Sequence, residues 1–186
     1  MRITVSGLPG SGTTSLSRHL AERHGMTMIS AGEVFRQLAK EHNLGLAEFG
    51  RLAEEDPSYD KMIDARQKEI AETRDNIIVE GRLSGWMVEN ADLKIWLYAP
   101  TGCRISRIVS RDDVADTATA EKITLERERC EAGRYRLYYD IDINDLSIYH
   151  LILNSEHWDV AGLGAIVDTA IAGLRRPSAP EKGAGS

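Results

Sequence analysis

A glycine-rich segment near the start of the chain has the residue types and spacing of a phosphate-binding loop. Gly7, Gly12 and Thr14 match the pattern G-x-x-x-x-G-K-[ST] at every position they occupy. Glycine lets the backbone curl with its N–H groups pointing inward, and the Thr14 hydroxyl is of the type that binds Mg²⁺. We therefore predict that this segment holds nucleotide phosphates. The predicted loop comprises Gly7, Leu8, Pro9, Gly10, Ser11, Gly12, Thr13, Thr14 and Ser15.

One position departs from this pattern, because Thr13 stands where lysine is expected. Threonine can donate a hydrogen bond but carries no charge. Either the loop has lost catalysis, or other cations supply the missing charge. A strand pattern before the loop and a helix pattern after it favour a ligand-binding loop over a turn without a ligand.

A second candidate lies where a buried apolar run ends in Glu80-Gly81-Arg82. An acidic residue at the carboxyl end of a buried strand, beside a phosphate-binding loop, is placed to organise Mg²⁺. Gly81 allows a sharp turn, which delivers Arg82 to the same crevice. The alternative is a simple turn that ends the strand.

Two arginines in helical patterns are also candidates. Arg36 falls off the apolar stripe of its helix and can turn toward a cleft, although by itself it fits a solvated surface arginine equally well. Arg66 shares a stripe with Tyr59, so its charge either extends to solvent or reaches a cleft beside Gln67.

The segment from Arg104 to Arg136 contains seven arginines and seven acidic residues. Phosphoryl transfer spreads negative charge over several oxygens, and the planar guanidinium group binds two oxygens at once. The alternative is a solvent-exposed helix with ion pairs such as Glu131 with Arg127. We expect functional roles for Arg107, Arg111, Arg127 and Arg134, and surface positions for Arg104, Arg129 and Arg136.

The scaffold for these residues follows from short apolar runs that alternate with amphipathic stretches. Strands are predicted over 2–6, 27–30, 76–80, 93–98 and 149–153. Helices are predicted from the glycine-rich loop to 24 and over 32–42, 46–55, 58–74, 104–111, a long stretch to 138, and 160–174. This alternation predicts an α/β fold with three α/β/α layers around a five-stranded parallel sheet.

Composition narrows the function further. The chain has 186 residues, a net charge of −6 and 42% hydrophobic residues. We expect one domain over 1–174 and a disordered tail over 175–186. The net charge argues against binding to nucleic acid or anionic membranes. Two cysteines without metal-ligand spacing, no membrane-spanning run and no leader pattern predict a cytoplasmic protein.

Together these segments resemble the nucleoside monophosphate (NMP) kinases, and most closely the cytidylate kinases of the archaeal type. The resemblance spans about residues 1–174. Threonine at the loop lysine position also occurs in the archaeal group, so Thr13 is compatible with membership. The segments that carry the resemblance are the loop Gly-Leu-Pro-Gly-Ser-Gly-Thr-Thr, Ser30 to Arg36, Arg66-Gln67, Glu80 to Trp86, and Asp142 to Tyr149.

The resemblance implies transfer of the γ-phosphoryl group of ATP to CMP or dCMP, with Mg²⁺, by a monomer. It also implies an NMP-binding region at about 31–75 and a lid at about 107–136. The loop, Arg107 and Arg111 would contact ATP, and Thr14 and Glu80 would hold Mg²⁺. The acceptor would be bound by Ser30, Gly32, Arg36, Arg66, Gly81 and Arg82. The catalytic residues would be Arg82, Arg127 and Arg134.

Recognition of cytosine is less visible in the sequence. In related kinases an arginine and a carboxylate read the base edge, and Arg66 and Asp64 are the candidates here. Bacterial members place a base-reading arginine near Asp60, where this chain has an acid followed by Lys61, so that correspondence fails.

Two alternative functions stay open at this stage. One is a kinase for another small acceptor, such as AMP, UMP or shikimate. The other is a regulatory module that binds or hydrolyses a nucleotide without transfer, which the missing loop lysine suggests. A binding module has no need for several arginines that converge on one crevice.

Overall fold

The computed structural model describes residues 1–45, 48–49, 52, 56–112 and 116–174. Within this part of the chain, five strands form one sheet in the order β2-β3-β1-β4-β5, and every neighbouring pair is parallel. The strands are β1 (Arg2–Gly7), β2 (Thr27–Ser30), β3 (Ile77–Glu80), β4 (Leu93–Tyr98) and β5 (Leu151–Asn154). The predicted five-stranded parallel sheet is confirmed.

The helices of the described residues connect and cover these strands. They are α1 (Thr13–His24), α2 (Ala31–Glu41), α3 (Ser58–Thr73), α4 (Ser84–Met87), α5 (Thr101–Asp112), α6 (Thr117–Tyr139) and α7 (Val160–Gly173). Sequence patterns do not predict the short α4. The predicted helix over 46–55 lies mostly outside the described residues, and the predicted tail lies wholly outside them. None of the described helices combines the length and apolar composition that crossing a membrane requires.

The central strand β1 shows why helices pack on both faces of the sheet. Ile3 and Val5 are fully buried on the face covered by α1 and α7, where they meet Leu16 and Val167. Burying each large aliphatic side chain contributes about 1.5–3 kcal/mol. On the opposite face, Ala71 of α3 lies in a core cluster with residues of β3 and of the chain that follows α4. The predicted three-layer α/β/α architecture is confirmed.

The start of α2 is set by a reciprocal cap at the end of β2. The Ser30 hydroxyl accepts a hydrogen bond from the Glu33 backbone N–H at 3.1 Å, and the Glu33 carboxylate accepts one from the Ser30 N–H at 3.1 Å. Such a cap stabilises a helix by about 1 kcal/mol. It sets the first residue of α2 directly after β2 and so determines the helical positions of Gly32 and Arg36.

The predicted bounds of the last strand are wrong at its beginning. The apolar run predicts a start at Tyr149, but β5 begins at Leu151. Tyr149 lies in a turn, with its N–H bonded to the Leu146 carbonyl at 3.1 Å. Its ring is buried against Trp96, with ring centroids 5.2 Å apart. A buried aromatic side chain in a turn therefore extends the apolar run beyond the strand.

Candidate active site

The phosphate-binding loop (residues 7–15) connects the carboxyl end of β1 to the start of α1, as the sequence predicts. A side chain at Gly7 would place its Cβ 2.5 Å from the Leu97 carbonyl oxygen. Gly10 has a φ of +82°, and a Cβ at this position would lie 2.5 Å from the Arg104 carbonyl oxygen. These positions require glycine because there is no space for a Cβ. The N-terminus of α1 directs its partial positive charge toward the concavity of this loop.

Thr13 meets Glu80 across two neighbouring strands. Strands β1 and β3 pair in a register that places Val5 beside Glu80, which brings the end of β3 next to the loop. The Thr13 hydroxyl donates a hydrogen bond to Glu80 Oε1 at 2.7 Å. In this chain the residue at the usual lysine position is therefore a neutral donor to a carboxylate.

The Glu80 carboxyl group lies in a partly buried environment that favours its neutral form. Burial raises its pKa, while hydrogen bonds from Thr13 and Thr14 and the charge of Arg82 act in the opposite direction. The Thr14 hydroxyl and the Glu80 carboxylate offer adjacent oxygen atoms, the ligand type that Mg²⁺ prefers. Among the described residues, no group of three or more His, Cys, Asp or Glu side chains is arranged to hold a metal ion.

The expectation that Arg104 lies on the surface is wrong. Arg104 is only 4% exposed, and its guanidinium donates to the Pro9 carbonyl at 3.0 Å and the Ala99 carbonyl at 3.2 Å. It also pairs with Glu128 on α6. A buried guanidinium needs acceptors for its N–H groups, and these come from the loop, from the end of β4 and from α6. Arg104 therefore stabilises the phosphate-binding loop through a hydrogen bond to its backbone.

Arg107 also lies against the phosphate-binding loop, on α5. Its guanidinium donates to the Gly10 carbonyl at 3.4 Å, the Ser155 hydroxyl at 2.9 Å and the Ser155 carbonyl at 2.7 Å. The Ser155 hydroxyl in turn donates to the Ser11 carbonyl at 2.8 Å. Sequence reasoning missed Ser155, although its position just after β5 is a signal for a residue at the carboxyl edge of the sheet. Arg111, the other predicted donor-side arginine, lies exposed near the end of α5.

A cleft of about 820 Å³ lies between α2, α3, α6 and the turn after β3, where Arg82 follows two residues after the Glu80 that bonds to Thr13. Its volume is in the range of small-molecule sites, about 300–1,000 Å³. Residues predicted to act on the acceptor and residues predicted for the lid share its wall. The lining includes Gly32, Phe35, Asp64, Arg82, Arg127 and Arg134.

Within this cleft one buried carboxylate joins two of the predicted catalytic arginines. Glu131 is 5% exposed. Its Oε2 lies 2.7 Å from Arg82 Nε, and its Oε1 accepts a hydrogen bond from Arg127 Nε at 2.8 Å. The sequence predicts the Glu131–Arg127 pair only as a feature of a solvent-exposed helix. The structure places the pair inside the cleft, where Arg82 completes it.

The remaining predicted acceptor residues lie in different environments. Arg36 is exposed on α2. Its Nη1 lies 3.6 Å from the point that a Cβ added to Gly32 would occupy. Gly81 lies beside the buried Gln67, whose amide donates to the Glu80 carbonyl at 3.1 Å. Arg66 pairs with Glu69 on its own helix at 2.9 Å and does not belong to the described lining of the cleft.

Two contacts join α3 to the last turn of α6, and one of them involves Asp64 of the cleft lining. The Tyr139 hydroxyl donates to Asp64 Oδ2 at 2.8 Å. Lys61 Nζ lies 5.1 Å from the centroid of the Tyr138 ring, which is a cation–π geometry. The hydrogen bond from Tyr139 therefore ties a carboxylate of the cleft lining to α6.

Comparisons with known proteins identify the family of the chain. The sequence profile of the cytidylate kinase-like family matches residues 2–157. A curated relative, the cytidylate kinase of Methanoregula boonei, is 77% identical over 176 residues, which is 95% of this chain and 97% of that protein. The cytidylate kinase of Archaeoglobus fulgidus is 47% identical and covers 92% of this chain and 94% of its own length.

Solved structures with the same fold include other kinases. Shikimate kinase from Acinetobacter baumannii in complex with shikimate aligns with a TM-score of 0.63 at 15% identity, over 92% of both chains. A gluconokinase from Sinorhizobium meliloti aligns with a TM-score of 0.57 at 16% identity, over 93% of this chain and 90% of that one. Identities this low show the fold alone. The profile match and the close relatives show that this chain belongs to the cytidylate kinase-like family.

Proposed function

We propose that this protein transfers the γ-phosphoryl group of ATP to CMP or dCMP, giving ADP and CDP or dCDP. The observation that carries the proposal is that Glu80, bonded to Thr13 of the phosphate-binding loop, lies two residues before Arg82, which lines an arginine-rich cleft of nucleotide size. Relatives that align over nearly the whole chain bear the name cytidylate kinase, which favours CMP over AMP, UMP or shikimate as the acceptor.

ATP binds with its β- and γ-phosphates in the loop. Inward N–H groups and the N-terminus of α1 provide the attraction. Arg104 and Arg107 hold the loop carbonyls of Pro9 and Gly10, which keeps the loop in its curled conformation. Arg111, near the end of α5, is the candidate for contact with the rest of the donor nucleotide.

Mg²⁺ is held by Thr14 and Glu80 in this proposal. Their oxygen atoms are of the type that Mg²⁺ prefers, and Mg²⁺ in phosphate sites commonly takes only one or two protein ligands. Burial raises the pKa of Glu80, and a neighbouring dication would favour the charged carboxylate. The chemistry that Mg²⁺ would supply there is neutralisation of charge on the donor phosphates, and the Thr13 hydroxyl orients the Glu80 carboxylate that would hold it.

The acceptor occupies the cleft. Arg36 and Arg82 bind the phosphate of the nucleoside monophosphate, and Gly32 and Gly81 allow it to approach the backbone closely. Arg127 and Arg134 of α6 contact the phosphoryl group in transit and supply the positive charge that Thr13 lacks. In this arrangement residues 31–75 form the acceptor-binding region and residues 107–136 form the lid. Closing the lid excludes water and protects ATP from hydrolysis.

A panel of acceptors tests the proposal directly. ADP formation from ATP and Mg²⁺ is measured with CMP, dCMP, UMP, AMP and shikimate, and with no acceptor. We expect kcat/KM to be highest for CMP or dCMP, and ADP formation to depend on the acceptor. A preference for AMP or shikimate would contradict the acceptor assignment. ATP hydrolysis at the same rate with and without each acceptor would indicate the regulatory module instead. Chelation of Mg²⁺ with EDTA is the control and abolishes the signal.

Two further expectations accompany this activity. We expect a monomer, which light scattering after size-exclusion chromatography measures. We also expect the protein to work in the reducing cytoplasm, where Cys103 and Cys130 stay as the free thiols that the structure shows.

A further inference from the structure

Glu131 differs from its acidic neighbour in the same cleft wall. Glu126 and Glu131 both line the cleft from α6, yet Glu126 is exposed and Glu131 is 5% exposed. A carboxylate buried this deeply is stable only when positive charge and hydrogen bonds compensate for the lost water. In this structure, Arg82 and Arg127 both compensate Glu131.

The two arginines come from separate parts of the fold. Arg82 follows β3 of the central sheet, whereas Arg127 belongs to α6, 45 residues further along the chain. Two guanidinium groups that converge on one cleft repel each other when nothing of opposite charge stands between them. Glu131 stands between them: Oε1 accepts a hydrogen bond from Arg127, while Oε2 forms an ion pair with Arg82 that lacks hydrogen-bond geometry.

The contact geometry leaves both arginines able to bind another anion. Glu131 meets each of them at Nε, which is one of several N–H donors of a guanidinium group. The side chains of Arg82 and Arg127 remain 21% and 64% exposed. One carboxylate with two guanidinium groups carries a net positive charge, so the cluster attracts a phosphate although it contains an acid.

We propose that Glu131 is a positioning residue that holds Arg82 and Arg127 as one unit facing the transferring phosphoryl group. The inference rests on the proposed kinase function. Glu131 itself does not contact the reacting atoms. It fixes the separation of the two cations and couples the acceptor side of the cleft to α6. A carboxylate that merely occupied the arginines and competed with phosphate would have the opposite effect on catalysis.

The test compares Glu131→Gln with Glu126→Gln. Both variants remove one negative charge from the same helix and the same cleft wall, but among the described residues Glu126 meets only exposed Arg129, at 3.9 Å. We expect Glu131→Gln to lower kcat by about 10²-fold, the size of loss that a misplaced catalytic group produces. The KM for ATP should stay close to wild type, since the loop is untouched. Glu126→Gln should have a far smaller effect on kcat.

A double-mutant cycle separates positioning from general stability. If Glu131 acts through Arg127, then Glu131→Gln should cost much less in kcat when Arg127 is already alanine. Should Glu131→Gln fail to fold, Glu131→Asp keeps the charge and shortens the side chain. It is expected to lose part of kcat with the unfolding transition nearly unchanged.

Several outcomes would overturn the inference. A higher kcat or tighter CMP binding in Glu131→Gln would show a competing carboxylate. Equal effects of the two glutamine variants, additive effects in the double-mutant cycle, or a fully active Glu131→Asp would exclude positioning. Wild-type enzyme in the same assay distinguishes this failure from failure of the proposed function, because only the latter leaves the wild type inactive with CMP.

Discussion

On both sides of the active site an arginine pairs with a glutamate, but among the described residues only the arginines on the loop side also donate to backbone carbonyls of the phosphate-binding loop. Beside the phosphate-binding loop, Arg104 and Arg107 donate to backbone carbonyls of the loop, and Arg104 is 4% exposed. In the cleft, Arg82 and Arg127 pair with the carboxylate of Glu131 and keep more exposed side chains. The first pair maintains the shape of a binding loop, while the second pair is able to bind a ligand.

The difference has a physical basis. A buried guanidinium must satisfy its donors permanently, and fixed carbonyls do so without exchanging with solvent. A guanidinium group at a cleft wall that pairs with a carboxylate through one N–H keeps its other N–H groups. These can bind the phosphate of an arriving substrate, which carries more negative charge than the carboxylate. Positive charge near a phosphate site therefore does not identify a phosphate ligand, because burial and the type of acceptor decide the role.

The largest expected effect concerns the loop side and is measured as stability. Arg104→Ala leaves Glu128 without its buried partner and removes two loop-side hydrogen bonds. Removing one partner of a buried ion pair lowers the free energy of unfolding by about 3–5 kcal/mol. Denaturant unfolding without nucleotide measures this. The matched change Arg129→Ala, at an exposed position on α6, should be nearly neutral, and a neutral Arg104→Ala would remove the distinction between the two sides.

The second effect concerns the cleft side and is measured as rate. Arg127→Ala and Arg134→Ala should each lower kcat by about 10²–10³-fold, because a fixed donor to the transition state is lost. Thr13→Ala should lower kcat only modestly, since Thr13 is an uncharged donor to Glu80. Rates are compared at saturating Mg²⁺, ATP and CMP, with Arg129→Ala as the control. If Thr13→Ala were as damaging as the arginine variants, the lid arginines would not be the source of the missing charge.

The third effect separates acceptor binding from donor binding. Arg36→Ala and Arg82→Ala should each weaken use of CMP by about 1.5–3 kcal/mol, the size of a hydrogen bond to a charged group. ATP affinity, measured by titration without acceptor, should change little in both variants. Equal losses of donor and acceptor affinity would mean that the cleft is not the acceptor site.

The smallest expected effect is a pH dependence from Glu80. Its pKa in the folded protein is raised above the ordinary 4.5, chiefly by burial. The folded state thus binds this proton more tightly, so the favourable contribution is present below pH 4.5 and is lost as pH rises through the folded pKa. Glu80→Gln should therefore gain stability over wild type near neutral pH and lose that advantage in acid. Greater destabilisation at neutral pH would contradict the assigned direction.

The sequence by itself determined the sheet, the loop and the family. Residues 27–30 and 93–98 are predicted as strands with the same bounds that the structure shows. The glycine-rich loop is recognisable because its chemistry lies in consecutive residues between a strand and a helix. Local periodicity and backbone requirements are properties of neighbouring residues, so they can be read along the chain.

Only the tertiary structure decided what each arginine does. Seven arginines between Arg104 and Arg136 are alike in sequence, and the pattern wrongly assigns Arg104 to the surface. The acceptors of Arg104 include the Pro9 carbonyl, and the partner that completes the Glu131–Arg127 pair is Arg82. These contacts join segments far apart in the chain, which the folding of β1, β3, α5 and α6 onto one edge brings together. Burial and partner choice depend on that approach, and no local pattern encodes them.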